Sequence, residues 1–198
     1  PLLCGWLMSL ALVAADRPNI IVILADDQGF GDLGANNPQS KIATPHLDAL
    51  AKGGVRFTDG HTSSGVCTPT RYSLLTGRYH WRTKLQSGVL GGFSTPLIAK
   101  DRLTLAGLLK QQGYATGCFG KWHLGMSFPL KNGGIADDGG NFGKAFQDAA
   151  SVDYDRDIVD GPLEHGFDTY FGISASLDMP PFVWIKDRRV TEIPSATK

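Results

Sequence analysis

The run Asn19-Ile20-Ile21-Val22-Ile23-Leu24-Ala25, followed at once by Asp26-Asp27-Gln28-Gly29, governs how the rest of the chain is read. A continuous β-branched and aliphatic stretch closed by a polar turn is the pattern of a strand covered on both faces in a parallel sheet. Downstream the period changes. Thr44-Pro45 reads as the cap and first residue of a helix whose apolar stripe is Leu47, Leu50 and Ala51, with Gly53-Gly54 ending it. Val55-Arg56-Phe57 reads as the next short strand. Thr104 caps a further helix through Leu105, Leu108 and Leu109 to Gly113, and Tyr114 to Phe119 reads as a short buried strand around Cys118. Strand, helix, strand, helix, strand predicts an α/β sandwich with a mostly parallel central sheet.

Between and beyond these elements the signals weaken. Lys131 to Phe146 is rich in Gly, Asn and Asp and reads as a mobile loop. After Gly166-Phe167-Asp168 the chain runs through Tyr170-Phe171-Gly172-Ile173 and Met179-Pro180-Pro181-Phe182 with no closing helix or strand pairing evident in the sequence. Residues 16–198 therefore read as the N-terminal portion of a larger domain.

Lys+Arg and Asp+Glu both number 19, so no general positive field marks the chain for nucleic acid or an anionic surface. An anionic ligand would have to be held by a local group of cations. The start, Leu2 to Ala15, is almost wholly apolar and closes on Val13-Ala14-Ala15, which suits a signal-peptidase site; it is short for a bilayer span. Residues 1–15 are thus expected to be a signal peptide lacking its basic n-region, the mature protein periplasmic or secreted, and no stable membrane anchor present. Of the cysteines then left, Cys118 reads as an inert small hydrophobe, and no disulfide to Cys67 is expected.

Three groups of residues carry chemistry. Asp26 and Asp27 follow the first strand, where an open α/β sheet binds ligands; adjacent carboxylates repel unless a cation joins them, and hard oxygens favour Ca²⁺ or Mg²⁺. Cys67-Thr68-Pro69-Thr70-Arg71 opens a helix, with Thr68 as cap, Pro69 in the first turn and Gly77 just past its end. Cys67 then lies at a helix N-terminus, where free N–H groups favour an anion, and Arg71 is one turn on. In Gly120-Lys121-Trp122-His123-Leu124-Gly125, Lys121 and His123 alternate with two apolar residues, so an extended backbone would put a cation and an imidazole on one side. His46, His61, His80 and His165 have no comparable partners.

These elements, in this order, resemble the formylglycine-dependent (type I) sulfatases of the alkaline-phosphatase-like superfamily, and most closely the bacterial arylsulfatase-A-like members. The resemblance runs from Arg17 to about Val190. It rests on Pro18-Asn19-Ile20, Ala25 to Asp32, Thr44 to Asp48, Cys-x-Pro-x-Arg followed by Leu-x-Thr-Gly (Leu74 to Gly77), Gly120 to Gly125, Gly166-Phe167-Asp168 and Ser176 to Pro181. It implies hydrolysis of aryl or carbohydrate sulfate esters, with Cys67 oxidised to Cα-formylglycine by a formylglycine-generating or anaerobic sulfatase-maturating enzyme. It further implies that Asp26, Asp27 and residue 67 ligate Ca²⁺ (Mg²⁺ being the lesser expectation). Arg71 would stabilise the aldehyde hydrate, Lys121 and Ser176 would contact substrate sulfate, and His123 would position and deprotonate the hydrate. Two hydroxyls on one carbon let the first attack sulfur and the second expel sulfate, which a serine does not allow. Thr70 departs slightly from the family, which more often has Ser or Ala there.

A second metal-ligand pair, Lys and acid expected of the family have no matching motif in these 198 residues, so the fragment alone is expected to be inactive. Two other functions fit part of the pattern: a phosphodiesterase or phosphonate monoester hydrolase of the same superfamily, and a non-catalytic binding homologue with an unmodified Cys67.

Overall fold

The structure, a computed structural model, describes residues 17–140, 144 and 149–194. The expected signal peptide lies outside the described residues. The described part is a mixed α/β arrangement of three helices, short 3-10 turns and a four-stranded sheet.

Helix α1 (Pro45–Gly53) starts on Pro45, whose fixed φ suits a first helical residue. Thr44 precedes it but does not cap it; its hydroxyl instead accepts the Gly34 N–H and donates to Asp48. Helix α2 (Cys67–Thr76) begins two residues before the expected position, with Val66 as the flanking residue. Thr68 is therefore inside the first turn, and its side chain is used elsewhere. Gly77 closes α2 in the left-handed conformation, at φ 65, which a Cβ would disfavour. Helix α3 (Leu105–Gln111) follows its expected cap, the Thr104 hydroxyl accepting the Gly107 N–H.

The sheet has the order β1-β2-β3-β4, with β1 (Gly117–Lys121), β2 (Thr169–Ile173), β3 (Ile185–Lys186) and β4 (Arg189–Val190). The longest ladder is the parallel pair β1–β2; β2–β3 and β3–β4 are antiparallel. Strand pairing after Gly166 is thus present although the sequence did not show it, since β3 and β4 are too short to leave a period-2 pattern. Gly120 faces Gly172 across the parallel ladder, and a Cβ on Gly172 would strike the Gly120 carbonyl. The two strands approach this closely because neither carries a side chain there.

Two expected strands are not formed. Residues 19–25 form no strand, and Ile21 is 83% exposed. Val55 to Phe57 is likewise irregular, with both apolar side chains on the surface. An all-apolar strand needs neighbours on both edges and layers on both faces, and the described residues supply neither. A cavity of about 580 Å³ instead separates residues 20–24 from β1, α2 and α3. It is an apolar packing gap that touches the functional residues only at Asp26, Arg71 and Lys121.

The buried centre adjoins this cavity, with Trp122 and Leu124 bordering both. Phe93 and Phe128 meet edge to face at 5.2 Å, packed with Leu124, Met126, Tyr170 and Ile185. Strand β1 itself is less buried than expected, with Phe119 74% exposed. Lys131 to Gly140 is not a loose excursion. Ala136 N–H donates to Phe128, and Asp138 is buried with its carboxylate fully engaged.

Candidate active site

The carboxyl ends of β1 and β2 run side by side, and the backbone pairing continues past them. Trp122 N–H donates to Ile173 at 3.0 Å and His123 N–H to Ser174 at 2.9 Å. This brings residues 121–123 alongside 174–176, at the end of a parallel pair where α/β sheets bind ligands. The first turn of α2 meets the same edge.

Lys121 is the centre of the cluster. Its Nζ donates to Cys67 Sγ at 3.1 Å, to both oxygens of Asp26 at 3.0 Å and to Ser176 Oγ at 3.3 Å. Its side chain is 9% exposed while that of Asp26 is 50% exposed, so a buried cation reaches up to a half-open carboxylate. Arg71 folds back from α2, one N–H group donating to the Lys121 carbonyl at 2.6 Å and another to Asp26 at 3.3 Å. Partial burial alone would raise the Asp26 carboxyl; the hydrogen bond and charge of Lys121, with Arg71, outweigh it and hold it below the usual carboxylate range.

Asp27 completes the acidic pair in a left-handed conformation, at φ 57. One ligand atom each from Asp26, Asp27 and Cys67 lie within 4.8 Å of one another. Two carboxylates are hard donors suited to Ca²⁺ or Mg²⁺. The Lys121 ammonium already lodged among them shows that the locus favours positive charge. These residues fit part of a hard-cation shell, since Ca²⁺ takes six to eight oxygens.

The extended backbone expected at His123 is not kept: its φ is 56, left-handed, just past β1. Its imidazole still lies near enough to Lys121, Arg71 and Asp26 to feel their charges. The ring is 1% exposed, and burial pushes its pKa down to about 4, opposed only in part by its hydrogen bond to Leu90. Nε2 lies 2.7 Å from the Leu90 carbonyl. A carbonyl only accepts, so the proton is on Nε2. Nδ1 is buried and has no hydrogen-bond partner among the described residues.

Thr68 lies inside the first turn of α2 and bridges two backbone segments instead of capping the helix. Its hydroxyl donates to the His123 carbonyl at 2.9 Å and accepts the Leu90 N–H at 3.2 Å. Neither Leu90 nor Ser174 carries a signal in the sequence, because both act through backbone atoms. Cys118 and Cys67 are not joined by a disulfide, and burial raises Cys118 to about 11, which keeps it protonated. Of the other histidines, His61 pairs with Asp59 on the surface and His165 is buried beside Trp122.

Comparison with known proteins bears on this arrangement. The family described as Sulfatase matches residues 18–184. An N-acetylgalactosamine-6-O-sulfatase of Bacteroides thetaiotaomicron is 38% identical over 176 residues, 89% of this chain and 30% of the relative. Arylsulfatase A of Bos taurus is 50% identical over 125 residues, 61% of this chain and 24% of the relative. A solved structure from work on the metabolism of multiple glycosaminoglycans by Bacteroides thetaiotaomicron superposes with a TM-score of 0.72 at 38% identity, covering 88% of this chain and 32% of its own. The chain therefore spans about 30% of the length of the first of these relatives. With most of its length matched and the fold shared, this chain belongs to the sulfatase family.

Proposed function

We propose that the protein containing this chain hydrolyses sulfate esters, of aryl or carbohydrate type, after oxidation of Cys67 to formylglycine and with a bound Ca²⁺. The observation that carries this is the Lys121 ammonium, hydrogen-bonded at once to Cys67, Asp26 and Ser176. It stands between the nucleophile position and a second polar side chain, where a sulfate group needs a cation.

When formed, the aldehyde hydrate at residue 67 supplies the nucleophilic oxygen, and the divalent cation lowers its pKa and screens the sulfate charge. Asp26 and Asp27 would hold the cation. Arg71 is pre-aimed at the same point by its bond to the Lys121 carbonyl, so little reorganisation is needed as negative charge develops. Lys121 and Ser176 would bind and orient the sulfate oxygens. His123 is neutral near pH 7, and Nδ1 is its one proton acceptor; accepting a proton there is the step that would release product. The apolar start of the chain supports export to the periplasm or medium by way of a signal peptide. No helix among the described residues is long and apolar enough to cross a membrane.

Two measurements test the proposal. Mass spectrometry of the peptide containing Cys67, from a host that matures sulfatases, should show the aldehyde; a free thiol would favour a binding homologue. Hydrolysis of an aryl sulfate by the whole protein should exceed that of the matching phosphate ester. The reverse preference would assign the site to phosphoester chemistry.

A further inference from the structure

A buried chain of hydrogen bonds leads from the imidazole of His123 to a carboxylate that has no part in the site described above. His123 Nε2 donates to the Leu90 carbonyl. The Gly91 N–H, in the same peptide unit, donates to Ser94 Oγ at 2.8 Å, and Ser94 Oγ donates to Asp138 Oδ1 at 2.5 Å. A trans peptide is planar, with its C=O and N–H pointing in opposite directions. Fixing the Gly91 N–H on Ser94 therefore fixes where the Leu90 carbonyl points.

The far end is firmly held. Asp138 is 1% exposed, and its carboxylate also accepts the Phe93 N–H at 2.9 Å and the Gly140 N–H at 2.9 Å. Gly91 abuts this carboxylate so closely that a Cβ there would run into it. A buried carboxylate receiving backbone N–H groups and a hydroxyl is costly to assemble unless every bond is made, and such a network specifies one arrangement. The near end is held too: Thr68 ties Leu90 N–H to the His123 carbonyl, so ring and backbone of His123 are anchored to one residue from two sides.

We propose that Ser94 and Asp138 are positioning residues for His123. They orient the Leu90–Gly91 peptide so that its carbonyl keeps the imidazole proton on Nε2 and leaves Nδ1 as the sole acceptor. Neither residue touches the site; each acts through the peptide. The functional weight of this device rests on the reading of His123 as the base, but the tautomer itself does not.

The test is two-bond ¹H–¹⁵N correlation spectroscopy of histidine-labelled protein at neutral pH, which reports the protonated ring nitrogen directly. Wild-type His123 should carry its proton on Nε2; a proton on Nδ1 overturns the proposal outright. In Ser94→Ala the Nδ1–H fraction should rise about fivefold, the equilibrium shift that one net hydrogen bond is worth. His165, which is outside the chain of bonds, should keep its spectrum. A folded Ser94→Ala with an unchanged His123 tautomer overturns the proposal. If that variant does not fold, the near-isosteric Asp138→Asn is read by the same criteria. If neither folds, the pair serves folding of the 91–94 turn and the proposal is likewise overturned. Since no step depends on turnover, failure here is distinct from failure of the sulfatase reading, which ester hydrolysis tests.

Discussion

The Lys121 ammonium lies 3.1 Å from the sulfur of Cys67 although 54 residues separate them. Strand β1 ends on Lys121 and helix α2 begins on Cys67, so the contact joins the carboxyl end of a strand to the amino end of a helix. Both termini favour bound anions, the helix through its free N–H groups and the lysine through its charge.

Because the Lys121 ammonium contacts the nucleophile position, Lys121→Met should lower sulfate-ester turnover of the whole protein by about 10²–10³-fold. Lys121→Arg should not restore it, since a planar fork does not reproduce a point charge in a space shared by three partners. Steady-state kcat on an aryl sulfate checks both. Turnover within a factor of about two of wild type in Lys121→Met would remove Lys121 from the machinery.

Calcium should raise the thermal midpoint of the protein through Asp26 and Asp27. Stabilisation follows mass action and reaches about 2.7 kcal/mol at roughly a hundredfold excess over Kd. Asp26→Asn should blunt the response by removing a charged ligand that Lys121 and Arg71 already keep ionised. An equal calcium shift in Asp26→Asn would show that the ion binds elsewhere.

Thr68→Val should destabilise the fold by about 2–4 kcal/mol, because the Leu90 N–H and the His123 carbonyl are both left buried without a partner. Thr68→Ser keeps the hydroxyl and should lose much less. Urea denaturation of the two variants separates loss of the bridge from loss of the methyl group.

Stability should fall as pH drops from about 6.5 towards 4. His123 has its folded pKa near 4, so across this window the unfolded chain binds the proton and the folded one does not. The slope from one such group is about 1.4 kcal/mol per pH unit, with the full stability present above the unfolded pKa. His165, also lowered by burial despite Asp160 nearby, adds to the same trend. Thermal midpoints across pH for wild type and His123→Gln check this; parallel profiles would mean that His123 does not titrate in the window.

Much of the local structure is legible in residue types. Pro45 starts α1, the Thr104 hydroxyl caps α3 and Gly77 ends α2 in a left-handed turn, because each depends on atoms within a few residues. The apolar run 19–25 has the local pattern of a strand, but a local pattern does not supply the neighbouring strand that a ladder requires. The glycine-rich stretch after Lys131 looked mobile because Gly and Asp are loop formers, yet Asp138 pins it from within the core.

Residue types and their spacing are enough to point to the sulfatase family and to single out Cys67, Arg71, Lys121 and the Asp26-Asp27 pair as its candidate groups. Which of them meet, and through which atoms, follows from the tertiary fold. It put Lys121 at the meeting point of Asp26, Cys67 and Ser176, and turned His123 off the strand through a left-handed φ. It also chose the proton's place on the imidazole through the carbonyl of Leu90. A backbone carbonyl is the same at every residue, so its direction leaves no mark on the sequence; folding alone sets it.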